Sequence, residues 1–481
     1  MKLRFFVLQG VAMCVLMMSA SSSVSLDSCR AMALRNNKQI LINKEKIKAT
    51  KFQKKEALTA FLPSLDFTGG YIYNQKDISL FDSDQLLPVK TFNASTGSYE
   101  FNIAKNPITG EPIKSPDGQY IPKEVALIPK ESLTYDISNL FFGAITLTQP
   151  IYMGGKISAL TNIASYYKKL VEAQQQNSIE EIIYNVDVAY WQVVSLDAKM
   201  QLAQSYVTLL DTLNRNIIAM VNEGVATQND QLSVNVKLNQ AQIDLTKVKN
   251  GLTLSRMSLA QICGLPIDSE LELTDENKNL QFEPILPVRQ HENMELIYNR
   301  RPDIQQLQIG AMIAHQQSKV ELSSMLPNIS AIGSYNFSNP NMFNGFKRNI
   351  DGAFSMGVLI SIPLWNWGRN YDKYKASQTQ ETIMRLNIAD AKEKIALQVK
   401  QASFKVQEAL KTYQMTLENL TCAKENLQQA QLGFKEGVTS IDNVMEAQTA
   451  WLKSHSEYID AQIDIRLCNT YFKKVLGLLK Y

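Results

Sequence analysis

The sequence predicts an α+β membrane protein that is mostly helical and is built from an internal duplication. Three observations lead to this prediction. Two stretches of the chain repeat each other, each copy holds a pair of segments with the alternation of β-strands, and each copy holds a very long segment without glycine or proline. One structural unit is therefore expected to occur twice.

The repeat is visible in two alignments of the chain with itself. Residues 58–74 match residues 322–338 at an offset of 264, and residues 141–156 match residues 354–369 at an offset of 213. The second offset also pairs Gly224 with Gly437. The change of offset means that the first copy carries 51 extra residues between its two strands.

The paired strands alternate in polarity. Residues 65–73 place apolar and aromatic side chains on one side and mostly small or polar ones on the other, which is a period of two. The second strand of the pair ends at Pro150, and its counterpart in the second copy ends at Pro363. An apolar face with aromatic residues near its ends is typical of a lipid-facing barrel strand, although each segment alone would also fit a soluble sandwich.

The helices are unusually long. No glycine or proline interrupts the chain from Ile157 to Glu223 or from Arg369 to Leu432. At a rise of ~1.5 Å per residue, each helix would be about 100 Å long. A heptad seam through the first helix, from Val186 to Ile217, predicts packing against partner helices. A free-standing coiled-coil rod is the alternative, but it does not account for the strands.

The corners between strand and helix have suitable residues. Pro150 and Pro363 lack an N–H and are expected to end strand pairing. Gly155 and Gly368 are expected to adopt the positive φ that the change from strand to helix requires.

Strand number predicts the assembly. After residue 23, no stretch approaches 18 consecutive apolar residues, so a membrane-embedded form would have to be a closed β-barrel. Membrane barrels have at least about eight strands, and one chain supplies four. Three chains would give a twelve-stranded barrel, continued by a long α-helical coiled-coil barrel.

The N-terminus has the order of a secretory signal. Lys2 and Arg4 precede an apolar run from Phe5 to Met18, and small residues follow as far as Ser23. We predict a signal peptide over residues 1–23, and an ordinary hydrophobic segment is the alternative.

Composition and motifs speak against several classes of protein. The balance of 49 basic and 46 acidic residues gives no electrostatic case for nucleic acid binding. His291, His315 and His455 are scattered, and no hydrolase, nucleotide-binding or zinc-protease motif is present. We therefore expect that the protein is not an enzyme and that it has neither a metal site nor a cofactor.

Four cysteines remain after the predicted signal: Cys29, Cys263, Cys422 and Cys468. They have no metal-like spacing. They fit small buried apolar residues, although an oxidising compartment would also permit a disulfide.

Over essentially the whole mature chain, the sequence resembles the TolC-like outer-membrane efflux family. The marks are the Leu-Pro pairs at 62 and 326, the corners at 149–156 and 362–369, RRPDI at 300–304, and the turns NEGVATQND and KEGVTSIDN at 222–230 and 435–443. The resemblance implies a homotrimer in the outer membrane of a Gram-negative cell that extends into the periplasm. It also implies two partners, a periplasmic adaptor (membrane fusion) protein and an inner-membrane RND or ABC transporter.

The resemblance assigns roles to residues of this chain. The adaptor would dock on two helical tips formed by Gly224, Val225, Ala226, Gly437, Val438 and Thr439, which could also be plain chain reversals. Thr227 or Ser440 could cap the returning helices. Asp442, with Asp230 behind it, is the candidate for a periplasmic constriction, although both also suit a helix N-terminus.

The predicted organisation follows from these assignments. The first repeat spans 24–265, with strands at about 64–77 and 135–150, an exposed loop at 78–134, and long helices at 155–222 and 228–263. A linker spans 266–290. The second repeat spans 291–481, with strands at about 328–339 and 350–363 and long helices at 368–435 and 441–477. The long first loop departs from the family, and we expect it to cover the pore partly or to form an external binding surface.

The expected function is that of a passive exit duct in a tripartite efflux system. An exit duct for type I protein secretion and a structural coiled-coil surface protein are the alternatives.

Overall fold

The computed structural model describes residues 23–276 and 293–479. Residues 1–22 of the predicted signal peptide, His291 and the greater part of the predicted linker lie outside the described residues. The chain divides into two units. The helical unit comprises Met1–Lys55, Ala159–Ser318 and Lys373–Tyr481, and the sheet unit comprises Glu56–Ser158 and Lys319–Asp372.

The helices are α1 (Leu26–Asn36), α2 (Lys38–Thr59), α3 (Lys156–Asn222), α4 (Gln228–Cys263), α5 (Met294–Arg300), α6 (Pro302–Ser323), α7 (Arg369–Lys435) and α8 (Ile441–Val475). The strands are β1 (Ser64–Tyr73), β2 (Ile78–Ser79), β3 (Gln85–Pro88), β4 (Lys90–Asn93), β5 (Ser98–Phe101), β6 (Val125–Ile128), β7 (Thr134–Tyr135), β8 (Asn139–Met153), β9 (Asn328–Asn339) and β10 (Asp351–Ser361).

The main sheet of the sheet unit has the order β1-β8-β9-β10, and every pair in it is antiparallel. Strands β1 and β10 are its edges, and each is paired with one neighbour within the chain. The two hairpins predicted from the sequence therefore lie side by side, joined through β8 and β9.

The register of this sheet separates apolar from polar side chains. Phe67, Ile145, Tyr335 and Phe354 lie directly opposite one another across the four strands. The neighbouring row on the other face is polar and consists of Asp66, Thr146, Ser334 and Ser355. Because successive side chains of a strand point to opposite faces, the sheet has one apolar and one polar face in this part.

Pro150 does not end strand pairing, contrary to the expectation. Strand β8 continues to Met153, and its register against β9 shifts between Pro150 and Tyr152. A bulge lets a strand accommodate a residue that cannot donate a ladder hydrogen bond, so β8 continues past the proline. Pro363 lies beyond β10, which ends at Ser361.

The segment predicted as an exposed loop at 78–134 contains regular structure. Three antiparallel pairs are nested within it: β2 with β7, β3 with β6, and β4 with β5. The rings of Phe92 and Tyr99 in the innermost pair are 5.4 Å apart. The segment is thus a sequence of short ladders, and β1 ends at Tyr73, before the predicted residue 77.

Long helices dominate the helical unit, where α3 and α7 have 67 residues each. Predicted seam residues of α3 are buried, among them Val186, Val193, Leu210 and Ile217. One core cluster packs α1 against α3 and α4, and a second joins α5, α6, α7 and α8. The seam therefore faces neighbouring helices of the same chain.

None of the helices in the described parts of the chain combines the length and the apolar character needed to cross a membrane.

Candidate functional site at the helical turns

The first turn reverses the chain between α3 and α4. Gly224 has φ +75°, and the backbone N–H of Val225 donates to the carbonyl of Met220 at 2.8 Å. An added Cβ at Gly224 would meet no atom within 4 Å. The backbone conformation, and not lack of space, therefore requires glycine here.

A reciprocal capping box begins α4. The hydroxyl oxygen of Thr227 accepts a hydrogen bond from the Asp230 N–H at 3.3 Å, and the Asp230 carboxylate accepts one from the Thr227 N–H at 2.8 Å. The Thr227 hydroxyl also donates to Asp230 at 2.7 Å. The hydrogen bond from the Thr227 N–H has the larger effect and that from the Thr227 hydroxyl the smaller, and both lower the pKa of Asp230. Thr227 caps the helix as expected, and the Asp230 carboxylate is engaged in this cap.

The second turn, between α7 and α8, repeats the backbone geometry. Gly437 has φ +72°, and the Val438 N–H donates to the carbonyl of Gly433 at 2.8 Å. Ser440 occupies the N-cap position of α8 but forms no side-chain capping bond. The two turns therefore share their reversal and differ in their caps.

The valines at the two turns are among the most exposed apolar residues of the helical unit. Val225 is 70 % exposed and Val438 is 79 % exposed. Behind them, one buried cluster joins Ile217 of α3, Val234 of α4 and Ile441 of α8. The structure thus brings the ends of both helix pairs together, with one exposed valine on each turn.

Asp442 and Asp230 lie in the first turns of α8 and α4. Asp442 is exposed. A carboxylate at this position is stabilised by the positive end of the helix dipole. Of the two aspartates, Asp230 has its carboxylate bound to Thr227.

The strand-to-helix corners of the sheet unit use positive φ angles. Gly155 and Gly368 have φ +81° and +79°, as expected from their position. The sequence reasoning missed Gly154, where an added Cβ would lie 2.8 Å from the carbonyl oxygen of Ser323. It also missed Trp367, whose φ is +56°.

Buried ion pairs in the helical unit are a second feature that the sequence reasoning missed. The fully buried Asp187 binds Arg30, and Arg256 lies 3.0 Å from Glu276 and 3.9 Å from Asp197. The partners are 20 to 157 positions apart in the sequence, so no local pattern reveals them. Within residues 23–276 and 293–479, no group of three or more His, Cys, Asp or Glu could hold a metal ion.

The sequence matches a known family. Residues 128–265 and 294–477, more than half of the chain, match the model of the outer membrane efflux protein family. The chain is 20 % identical over 377 residues to the outer membrane protein TolC of Vibrio cholerae, which covers 74 % of this chain and 83 % of that relative.

Solved structures share the fold. The CmeC outer membrane channel of Campylobacter jejuni has a TM-score of 0.71 at 14 % identity, covering 95 % of this chain and 87 % of that one. The outer membrane protein VceC of Vibrio cholerae has a TM-score of 0.69 at 13 % identity, covering 94 % and 96 %.

The match to the family model includes both helical turns. The chain therefore belongs to the outer membrane efflux protein family, a family of transport channels, and is a protein of the outer membrane that extends into the periplasm.

Proposed function

We propose that three copies of this chain form the exit duct of a tripartite efflux system. In this proposal the duct conducts substrates passively to the cell exterior. An inner-membrane pump supplies the energy, and a periplasmic adaptor joins the pump to the duct.

The observation that carries the proposal is the amphipathic four-stranded sheet with two edge strands. Its apolar row, Phe67, Ile145, Tyr335 and Phe354, suits lipid, and its polar row suits a water-filled lumen. Open backbone edges are not tolerated in lipid, and four strands are too few to close a barrel. Edge β10 of one copy would pair with edge β1 of the next, so that three copies supply twelve strands.

The exposed side chains of the edge strands support this orientation. Phe354, Met356, Val358 and Ile360 alternate along β10 and are all exposed. In water such a row would be an aggregation hazard, because it combines an open edge with a continuous apolar stripe. Pairing with a second copy removes the edge, and lipid covers the stripe.

The long helices support the second half of the duct. Helices α3 and α7 have 67 residues each, which at ~1.5 Å per residue is about 100 Å. Twelve helical columns from three copies would form an α-helical barrel in the periplasm. Each chain would then contribute one third of this wall, as two similar halves that correspond to the two predicted repeats.

The turns are the proposed docking points for the adaptor. Val225 and Val438 expose their side chains at backbone reversals that Gly224 and Gly437 make possible. An apolar side chain on a tight, hydrogen-bonded turn can be buried by a partner with little loss of conformational entropy. The remaining predicted tip residues, Ala226 and Thr439, complete the two turns.

Photo-crosslinking in cells tests the docking. A crosslinking amino acid at Val225 or Val438 should capture a protein that mass spectrometry identifies as a periplasmic adaptor. The matched control carries the same amino acid at Lys247, an exposed position of α4 away from the turns. It should not capture the adaptor. Equal capture at all three positions, or none at the turns, would contradict the docking assignment.

A further inference from the structure

Two cysteines that are distant in the sequence meet in the core of the helical unit. Cys29 of α1 and Cys263, the last residue of α4, are both 0 % exposed and 234 positions apart. The Cys263 thiol lies 3.6 Å from the carbonyl oxygen of Cys29, to which it donates. A hydrogen bond with the Cys263 thiol, together with burial, raises the pKa of Cys29. The two cysteines therefore lie next to each other in the core, with the Cys263 thiol against the backbone of Cys29.

The backbone around the pair is held in place from both sides. The Asn37 side-chain amide donates to the carbonyl of Ile262 at 2.9 Å. An added Cβ at Gly264 would lie 2.7 Å from the backbone of Asn36, so α1 and the end of α4 touch there. On the other side, the Val24 N–H donates to the carbonyl of Glu272 at 2.8 Å. These contacts hold α1 and the segment at the end of α4 against each other.

The compartment decides the state of such a pair. A protein of the outer membrane is exported through the periplasm, where disulfides form and persist, whereas cytosolic thiols are kept reduced. The other two cysteines of the described chain offer a contrast, because Cys422 is exposed on α7 and Cys468 is half-buried on α8.

We propose that Cys29 and Cys263 form a disulfide bond in the exported protein, which covalently attaches α1 to the end of α4. The oxidant is a periplasmic thiol–disulfide oxidoreductase of the class that carries a reactive cysteine pair.

The reaction is balanced by that oxidoreductase. One cysteine thiolate attacks the disulfide of the oxidoreductase, which forms a mixed disulfide and releases one thiolate of the oxidoreductase. The second cysteine then attacks the mixed disulfide, so that the bond between Cys29 and Cys263 forms and the oxidoreductase leaves as a dithiol. The two electrons and the two protons of the cysteines end on that dithiol. Because both side chains are fully buried in the folded chain, the oxidation precedes the docking of α1.

Differential alkylation tests the proposal. The full-length protein is exported to the periplasm, quenched in acid, unfolded, and treated with N-ethylmaleimide before any reductant is added. We expect label on Cys422 and Cys468, no label on Cys29 and Cys263 until reduction, and a linked peptide pair containing the latter two. Label on both Cys29 and Cys263 without reduction would overturn the proposal.

Variants separate this bond from other pairings. In Cys29→Ser, N-ethylmaleimide should label Cys263 without reduction. In Cys263→Ser, it should label Cys29 without reduction. The matched control Cys422→Ser should leave the linked pair unchanged. A linked peptide that contains Cys422 or Cys468 in place of either partner would also overturn the assignment.

Discussion

The Arg30 guanidinium of α1 forms two parallel hydrogen bonds with the fully buried Asp187 carboxylate of α3. Nε lies 2.7 Å from Oδ1, and Nη2 lies 2.6 Å from Oδ2. Burial raises the pKa of Asp187, and the hydrogen bonds and charge of Arg30 oppose that rise. The ion pair thus attaches α1 to α3, close to the proposed disulfide.

Removal of the guanidinium should destabilise the helical unit strongly. Arg30→Met leaves the Asp187 carboxylate buried without a partner, which costs on the order of 3 to 5 kcal/mol. The measurement is the urea midpoint of the helical circular-dichroism signal. The matched control is Asp27→Asn, which removes only the exposed partner of Arg30 and should cost less than ~1 kcal/mol. Equal losses of stability in the two variants would show that the buried ion pair contributes no more to stability than the exposed one.

The two turns should respond differently to loss of their cap residues. Thr227→Ala removes the capping box of α4, and we expect a loss of about 1 kcal/mol in local stability. Ser440→Ala should have a smaller effect, because Ser440 forms no side-chain capping bond. Amide hydrogen exchange of the first turns of α4 and α8 measures both. A larger increase in exchange from Ser440→Ala in α8 than from Thr227→Ala in α4 would contradict the assigned caps.

His455 should make the helical unit less stable in mild acid. It lies beside Trp451 on α8, and burial lowers its pKa below 6.5. As the pH falls below 6.5, the unfolded chain binds a proton that the folded chain does not, so the free energy of unfolding decreases. His455→Gln should flatten this decrease between pH 7 and 5, measured by urea unfolding at each pH. If the free energy of unfolding of the variant falls as steeply with pH as that of the wild type, groups other than His455 cause the decrease.

Charge at the proposed constriction should affect conduction more through Asp442 than through Asp230. In planar bilayers, Asp442→Asn should shift the ion selectivity of the channel away from cations, measured as a change of the reversal potential under a salt gradient. Asp230→Asn should change it less, since that carboxylate is bound to Thr227. A larger effect of Asp230→Asn than of Asp442→Asn on ion selectivity would contradict the choice of Asp442 and assign the constriction to Asp230 of α4.

Sequence periodicity predicted those parts of the structure that have long, uniform patterns. The two long helices, the four main strands and the positive φ of Gly155 and Gly368 follow from patterns that span many residues or from glycine itself. The strands at 85–88 and 98–101 are only four residues long, and the nearby prolines and glycines concealed their alternation.

Contacts between distant segments could not be predicted in this way. Arg30 and Asp187 are 157 positions apart, and Cys29 and Cys263 are 234 apart. Neither pair lies in a recognisable motif, so only the packing of α1 on α3 and α4 brings their side chains together. The pairing of Pro150 could not be predicted for the same reason. Strand β8 continues past it through a bulge against β9, a strand that is distant in the sequence.

The number of chains in the assembly tests the central proposal most directly. Native mass spectrometry of the mature protein, released from detergent micelles, measures this number. Because one chain supplies four strands with two open edges, we predict a particle of three copies. A particle of one copy that conducts ions in a bilayer would contradict the proposal that identical chains share one barrel.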